Sequence, residues 1–248
     1  EAQRLGYAEP DPTNDVEGYD AAYKLAIMAT LGFRSRVRPG EIDTTGITKL
    51  HPRDFQYAQE LGYVIKLLAI AERIDGGIVA RVAPAFIPNT EPLAKVDGVY
   101  NAVQIEGDLT GTVLFQGRGA GAEPTSSAVV ADLLDLSHAI VLGNRERKYW
   151  GPEDGVPVLG LEHLQTRYYV RVTVNDRPGV LAQIAQTLGN HSVSIAAVSQ
   201  KEADADAQMA ELVIMTHRAK EGSMRAALRE IESLPVVSQV ASFLRVEG

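Results

Sequence analysis

Cysteine is missing altogether from the 248 residues. That excludes a disulfide framework, a thiol nucleophile and any thiolate metal site. Histidine is sparse: His51, His138, His163, His191 and His217 are scattered, with no HExxH and no pair at ligand spacing. A structural zinc site is therefore not expected. No apolar run approaches the ~20 residues that span a bilayer, so no membrane association is expected. Positive charge is in deficit, 24 Lys and Arg against 32 Asp and Glu for a net charge of −8. The clustered basic surface that neutralises nucleic-acid phosphates is not there, and no nucleic-acid partner is expected. The opening Glu1-Ala2-Gln3-Arg4 has neither an initiator Met nor the form of a signal peptide. The expectation is a cytoplasmic protein, or a piece of one.

What is present is ordinary for a folded chain: 45% hydrophobic and 23% charged residues, enough to bury the cores of one or two domains. Residues 144–165, NRERKYWGPEDGVPVLGLEHLQ, carry charge, Pro and Gly without sustained periodicity, which is linker chemistry. The division expected is residues 1–143, a linker over 144–166, and 167–248.

The last block is the more legible. Residues 168–174 alternate, with Tyr168, Val170, Val172 and Val174 on one face and Arg171 and Thr173 on the other, the pattern of a half-buried strand. A turn cluster, Asn175-Asp176-Arg177-Pro178-Gly179, precedes Val180, Leu181, Ile184, Ala185 and Leu188 at helical spacing, stopped at Gly189-Asn190. Residues 193–198 and 212–215 read as strands, 224–231 as an amphipathic helix and 240–246 as a closing strand. The order β-α-β-β-α-β is ferredoxin-like.

The first block is mixed. Residues 19–33, YDAAYKLAIMATLGF, are apolar on almost every side beyond Lys24, which predicts a buried helix. Pro52 opens a second helix that Gly62 ends. Residues 64–71, 78–86, 102–105 and 111–116 have strand character. Residues 124–140 form a third helix with Val129, Leu133, Leu136 and Ile140 on one stripe. The fold class expected is α+β: a mixed sheet-and-helix domain followed by the ferredoxin-like one.

Two stretches carry chemistry. Residues 6–24, GYAEPDPTNDVEGYDAAYK, hold Glu9, Asp11, Asp15, Glu17 and Asp20, with Asp20 and Lys24 at i,i+4 on one helix face. Read plainly, this is a solvated loop capped by Asn14 or Asp15 with a surface ion pair of ~0.3–0.5 kcal/mol. A lysine at the end of a buried helix needs a partner, however, and burial would lower its pKa toward the range of neutral-pH proton transfer. The residues by themselves describe a polar pocket for a small cationic or zwitterionic ligand, without a reaction. The second stretch is Gly117-Arg118-Gly119-Ala120-Gly121-Ala122-Glu123-Pro124-Thr125, between strand and helix. It suits either an anion at a helix N-terminus or a tight turn needing positive φ. Its G-x-G-x-G spacing is not the G-x-G-x-x-G of a dinucleotide fold, and no strand–G-x-G-x-x-G–helix unit occurs in the chain.

Three long segments, residues 6–27, 46–71 and 101–135, resemble the homoserine dehydrogenase family in content and in order, covering roughly residues 1–143. Residues 175–185, NDRPGVLAQIA, resemble the ACT domain, a small-molecule-sensing module often fused to amino-acid biosynthetic enzymes. The resemblance implies an oxidoreductase that interconverts L-aspartate 4-semialdehyde and L-homoserine with NADP or NAD, on the route to threonine, methionine and isoleucine. It implies that Tyr7, Glu9 and Asp15 bind substrate, that Asp20 and Lys24 are the catalytic pair, and that Gly117, Gly119, Gly121, Glu123, Pro124 and Thr125 lie at the cofactor. For the ACT block it implies an amino-acid effector, threonine the natural choice, held by Asn175, Asp176, Gly179, Val180 and Leu181, with Asn190 and Ser192 facing the same site from a partner subunit. A homodimer or homotetramer is expected, with residues 63–87 and the ACT block each able to supply a two-fold contact.

The family's nucleotide-binding domain precedes the catalytic motif and has no counterpart here, so this chain alone is expected to be inactive. The alternative is a non-catalytic amino-acid-binding and assembly module. A different ACT-tailed dehydrogenase would leave residues 6–24 unexplained. Lys66 is read as a strand lysine reaching for solvent, and Trp150 as a packing anchor.

Overall fold

A computed structural model of the protein describes residues 11–143, 155–204 and 208–248; for residues 202–204 it describes the backbone alone. Trp150 lies outside these residues. The chain runs α1 (Thr13–Val16), α2 (Tyr19–Phe33), β1 (Asp43–Thr44), α3 (Pro52–Glu60), β2 (Tyr63–Ile74), β3 (Gly77–Pro88), β4 (Tyr100–Gly107), β5 (Gly111–Arg118) and α4 (Ala122–Val141). It continues through β6 (Val158–Leu159), β7 (Gln165–Asn175), α5 (Val180–Asn190), β8 (Ile195–Asp204), β9 (Met209–Thr216), β10 (Ala219–Lys220), α6 (Glu221–Glu232) and β11 (Val237–Val246). The α+β class holds.

β3 organises the molecule. Along one edge it pairs antiparallel with β2 over its whole length, from Tyr63–Pro88 to Ile74–Gly77. Its other edge takes three short parallel partners in turn: β6 at Ile78 and Val79, β1 at Arg81 and Val82, and β11 at Ala85 and Phe86. β11 then leads through β7 and β9 to β8, the strand order of a ferredoxin-like βαββαβ unit. One sheet thus crosses both halves of the chain. A strand shared between neighbours on both edges and covered on both faces should be apolar throughout, and β3 is buried from Gly77 to Ile87.

Four cores hang on this sheet. The first lies between α5, α6 and one face of the C-terminal strands, with Tyr168, Val170, Val172 and Val174 pointing into it. The second packs Ala22, Leu25, Ala26 and Ala29 of α2 against Ile78, Ala80 and Val82. The third joins the halves: Tyr57 and Ala58 of α3 meet Phe86, Tyr169, Val213 and Leu244, with Phe86 and Tyr169 stacked at 4.3 Å between ring centroids. A small fourth core sets Leu161 and Leu164 against Val79. The segment read as linker therefore ends in structured chain.

Two expectations meet a different outcome. β7 was expected to be half-buried, but Tyr169 and Arg171 on its second face are covered by α3. Alternation shows which residues share a face, not whether that face meets water. Conversely, α2 is buried on one side only; Tyr23, Ile27 and Leu31 are 55–63% exposed. α4 has no buried residue, and its stripe of Val129, Leu133, Leu136 and Ile140 lies open. Exposed apolar surface of that extent on two helices marks a contact face for another body.

Candidate active site

The acidic segment folds into two short pieces meeting at Gly18. Asp11 accepts from the hydroxyl and the N–H of Thr13, at 2.6 and 3.1 Å. The hydroxyl, then the amide, hold its carboxyl below the ordinary aspartate value. Asp11 thus takes the role expected of Asn14 or Asp15, and Asp15 instead stands exposed on α1. Gly18 is the N-cap of α2, with φ of +82°. A Cβ there would sit 3.0 Å from a methyl of Val82. Backbone conformation and close approach both require glycine.

One turn into α2, Lys24 Nζ meets the Asp20 carboxylate at 2.6 Å, the two side chains 63% and 48% exposed. The pairing expected from the spacing is present, and the burial is not. At such exposure the pair adds little to stability. What it presents is a preorganised ammonium and carboxylate at the surface, on the helix that bears the exposed Tyr23, Ile27 and Leu31. An ammonium held by a carboxylate is a proton donor to an oxygen that gains negative charge, once a covering body excludes water. Tyr7 and Glu9 lie outside the described residues.

The glycine loop joins β5 to α4. Gly121 is the N-cap, at φ of +118°. Gly119 packs against the Asn101 amide so closely that a Cβ would collide, while Gly117 faces open space. Glu123, Pro124 and Thr125 form the first turn of a 20-residue helix, and the Thr125 N–H donates to the Gly121 carbonyl at 3.2 Å. An exposed helix start flanked by glycine suits an anionic group.

In the C-terminal half, Asn175 and Asp176 donate their N–H groups to the carbonyls of Val236 and Gln208. The Asp176 carboxylate accepts from Gln200 at 3.1 Å. Gly179 caps α5 at φ of +89°. Val180 is buried in the core, leaving only its backbone for a ligand; Leu181 is exposed. Asn190, bonded by Gln186, and Ser192 sit at the opposite end of α5, about 15 Å away at 1.5 Å per residue. One chain therefore does not bring the two groups together.

Between the halves lies a buried ionic cluster that the sequence did not disclose. The Asp54 carboxylate accepts from Tyr169 at 3.0 Å, from Arg171 Nε at 2.8 Å and from the His51 N–H at 3.0 Å. Arg171 also reaches Glu211 at 2.8 Å, and Glu211 accepts from Tyr57 at 2.7 Å and pairs with Arg53 at 3.0 Å. Burial alone would lower the Arg171 guanidinium, but the two carboxylates outweigh it and hold it above its ordinary value. Burial works against the Glu211 carboxylate too, yet Tyr57, Arg171 and Arg53 hold it below the ordinary value. Burial, reinforced by Glu211, pushes the Tyr57 hydroxyl up to about 12. Among the described residues no group of His, Asp and Glu is arranged to hold a metal ion, and no helix is long and apolar enough to cross a membrane. Lys66, read as reaching for solvent, instead donates to the Val96 carbonyl at 2.7 Å and to Asp97 at 2.6 Å.

Comparison with known proteins gives this geometry its context. Residues 1–134 match the homoserine dehydrogenase family and residues 168–236 the ACT domain. The whole chain is 43% identical to the homoserine dehydrogenase of Mycobacterium tuberculosis and 42% identical to that of Pseudomonas aeruginosa, covering 58% of each. The crystal structure of a homoserine dehydrogenase from Thiobacillus denitrificans superposes with a TM-score of 0.91 at 42% identity, over 99% of this chain and 57% of that one. The Staphylococcus aureus enzyme at pH 6.5 gives 0.70 at 29% identity. The chain thus spans a little under three fifths of the length of the curated relatives it matches. With a family model matching more than half its length, the chain belongs to the homoserine dehydrogenase family and carries an ACT domain.

Proposed function

We propose that this chain is the substrate-binding, proton-transferring and regulatory part of an NAD- or NADP-dependent homoserine dehydrogenase. It interconverts L-aspartate 4-semialdehyde and L-homoserine on the route to threonine, methionine and isoleucine. The division of labour follows residues 1–143 for catalysis and dimerisation, 144–166 for the link and 167–248 for regulation. The observation that carries the reading is the solvent-facing Asp20–Lys24 pair at 2.6 Å, in a segment of the homoserine dehydrogenase family.

A nicotinamide held against the Gly117–Thr125 segment would supply or accept the hydride. The residues here manage charge. In the reducing direction the Lys24 ammonium protonates the oxygen that becomes the hydroxyl of homoserine; in the other it takes that proton back. Asp20 holds Lys24 in place. Glu9 and Asp15 are the acceptors for the substrate ammonium and Tyr7 a further substrate contact in this reading, a set that selects amino-acid substrates over plain aldehydes. Gly117, Gly119, Gly121, Glu123, Pro124 and Thr125 form the near wall of the nicotinamide site, and the open faces of α2 and α4 receive the rest of the enzyme. Without that remainder the chain does not turn over.

The test follows nicotinamide reduction by the full-length protein with L-homoserine, with and without L-threonine. Activity that threonine lowers supports both halves of the reading. Activity indifferent to threonine keeps the enzyme and reassigns the ACT domain to assembly or to another effector. No activity with either nicotinamide defeats the reading.

A further inference from the structure

Only a short path separates the buried cluster from the substrate-binding segment, and each step of it is a contact. Asp54, gripped by Arg171 of the ACT sheet, accepts from the His51 N–H, and His51 Nδ1 accepts in turn from the Arg53 N–H at 3.2 Å. This reciprocal cap fixes the start of α3. Immediately before it, the Leu50 N–H donates to the Ile47 carbonyl at 3.1 Å. Residues 45–48 then press on α1. The Ile47 N–H donates to the Val16 carbonyl at 2.8 Å, and the Thr48 hydroxyl donates to the Glu17 carboxylate at 3.0 Å. Gly46 lies so near the Val16 carbonyl that any Cβ would collide with it. Val16 and Glu17 directly follow Asp15. On the other flank, the Thr45 N–H is anchored to the Val82 carbonyl at 2.8 Å, so the loop is braced between β3 and α1.

We propose that Arg171 is a positioning residue for the substrate site. From the ACT sheet it fixes the cap of α3, and through residues 45–50 it sets the placement of α1 and hence of Asp15. The inference rests on the proposed dehydrogenase reading for its substrate, but the mechanical link is independent of that reading. Two features make the link direct. Arg171 and Asp54 are almost solvent-free, with side chains 5% and 0% exposed, so neither has water as an alternative partner and the grip is strong. The path from His51 back to Thr48 spans three peptide bonds, too few to absorb a shift at one end without moving the other.

The experiment uses the full-length protein with Arg171→Lys, Thr48→Val, the double variant, and Ile184→Val as a control in the ACT core away from the path. Lysine keeps the charge of Arg171 but loses the forked grip on two carboxylates. Thr48→Val cuts the far end of the path at an exposed site and threatens no core. Hydrogen exchange is read at the amides of Val16, Glu17 and Gly18, and homoserine kinetics are measured in parallel. Expected for each single path variant is exchange faster by about threefold to tenfold, and a KM for homoserine raised by a similar factor, the scale of one lost hydrogen bond. The turnover number and the KM for the nicotinamide should stay within about twofold. The double variant should do no more than the larger single, since both cut one path. Ile184→Val should leave exchange at these amides at the wild-type rate.

Unchanged exchange at residues 16–18 in Arg171→Lys overturns the proposal. So does faster exchange with an unchanged homoserine KM, and so does an equal effect in Ile184→Val, which would make the change one of global stability. Wild-type protein that oxidises no homoserine would defeat the functional reading instead, and the exchange comparison would still decide the coupling.

Discussion

Arg171 and Asp54, 117 positions apart in sequence, meet at 2.8 Å with both side chains shut off from solvent. Breaking one side of such a pair leaves the other charge buried without compensation, which costs about 3–5 kcal/mol. Arg171→Met should therefore lower the free energy of unfolding by that order, measured by urea denaturation. Arg171→Met combined with Asp54→Asn should recover part of the loss, because the stranded carboxylate is then replaced by a neutral amide. Losses that add in the double variant would show that the two residues act separately.

The proton-transfer role proposed for Lys24 makes a kinetic prediction. In the full-length enzyme Lys24→Ala should reduce turnover by about 10²–10⁴-fold, the scale of general acid–base catalysis, while the KM for homoserine changes by much less. Lys24→Arg keeps the positive charge beside Asp20 but gives up protons poorly, so it should recover binding and little turnover. Steady-state kinetics in both directions check this. Near-normal turnover in Lys24→Ala would remove the residue from the mechanism.

Acid stability follows from two buried glutamates. Burial works against the Glu221 carboxylate, but Arg245 at 2.6 Å and Arg225 at 2.8 Å outweigh it and hold it below 4.5. Glu211 is lowered likewise. A carboxylate whose pKa is depressed by folding stabilises the native state above its unfolded value. That contribution is lost as pH falls through the folded one. Stability should be flat from neutrality to about pH 5 and decline below the ordinary glutamate value of 4.5. Glu221→Gln should be less stable at neutrality and show a shallower decline, read from urea midpoints across pH.

Alkaline stability has the opposite sign. Burial and Glu211 raise Tyr57 to about 12. Burial, with a carboxylate at hydrogen-bond distance, also pushes Tyr168 and Tyr169 up. These hydroxyls stay neutral in the fold after they would ionise in the unfolded chain. Stability should therefore fall as pH rises above 10. Tyr57→Phe should soften the fall, measured by the same denaturation series.

Much of this architecture is written in local pattern. The period-2 run from Tyr168 and the turn at Asn175 to Gly179 lead to the ferredoxin-like unit because each strand and helix announces its own apolar face. The Asp20–Lys24 pair is legible for the same reason: i,i+4 spacing on a helix is a local fact. The contact between the halves is not local. Tyr169 and Arg171 look like the wet side of a strand because nothing near them in sequence says that α3 covers it. The openness of α2 and α4 is hidden for the converse reason. Composition records that a helix is apolar on most sides, but not which body covers each side. In the loop of residues 45–50 the need for Gly46 appears only when the Val16 carbonyl is seen against it.

Gly18 offers the sharpest test of how backbone geometry serves the site. Its φ of +82° is strained for any residue with a Cβ, and a Cβ would also stand 3.0 Å from a Val82 methyl. Gly18→Ala thus combines a left-handed backbone with a crowded contact, for about 1–3 kcal/mol. Relief is available only by moving α2 off β3 or by turning α1 relative to α2. Either motion changes the distance from Asp15 to the Asp20–Lys24 pair, because Gly18 is the joint between their helices. The expected result is a lower melting temperature together with a larger loss in kcat/KM for homoserine than the stability change alone explains. Assays well below the transition, where the variant is fully folded, separate the two. A variant that melts earlier but keeps wild-type kcat/KM would show that α1 and α2 hold their relative placement without the glycine joint.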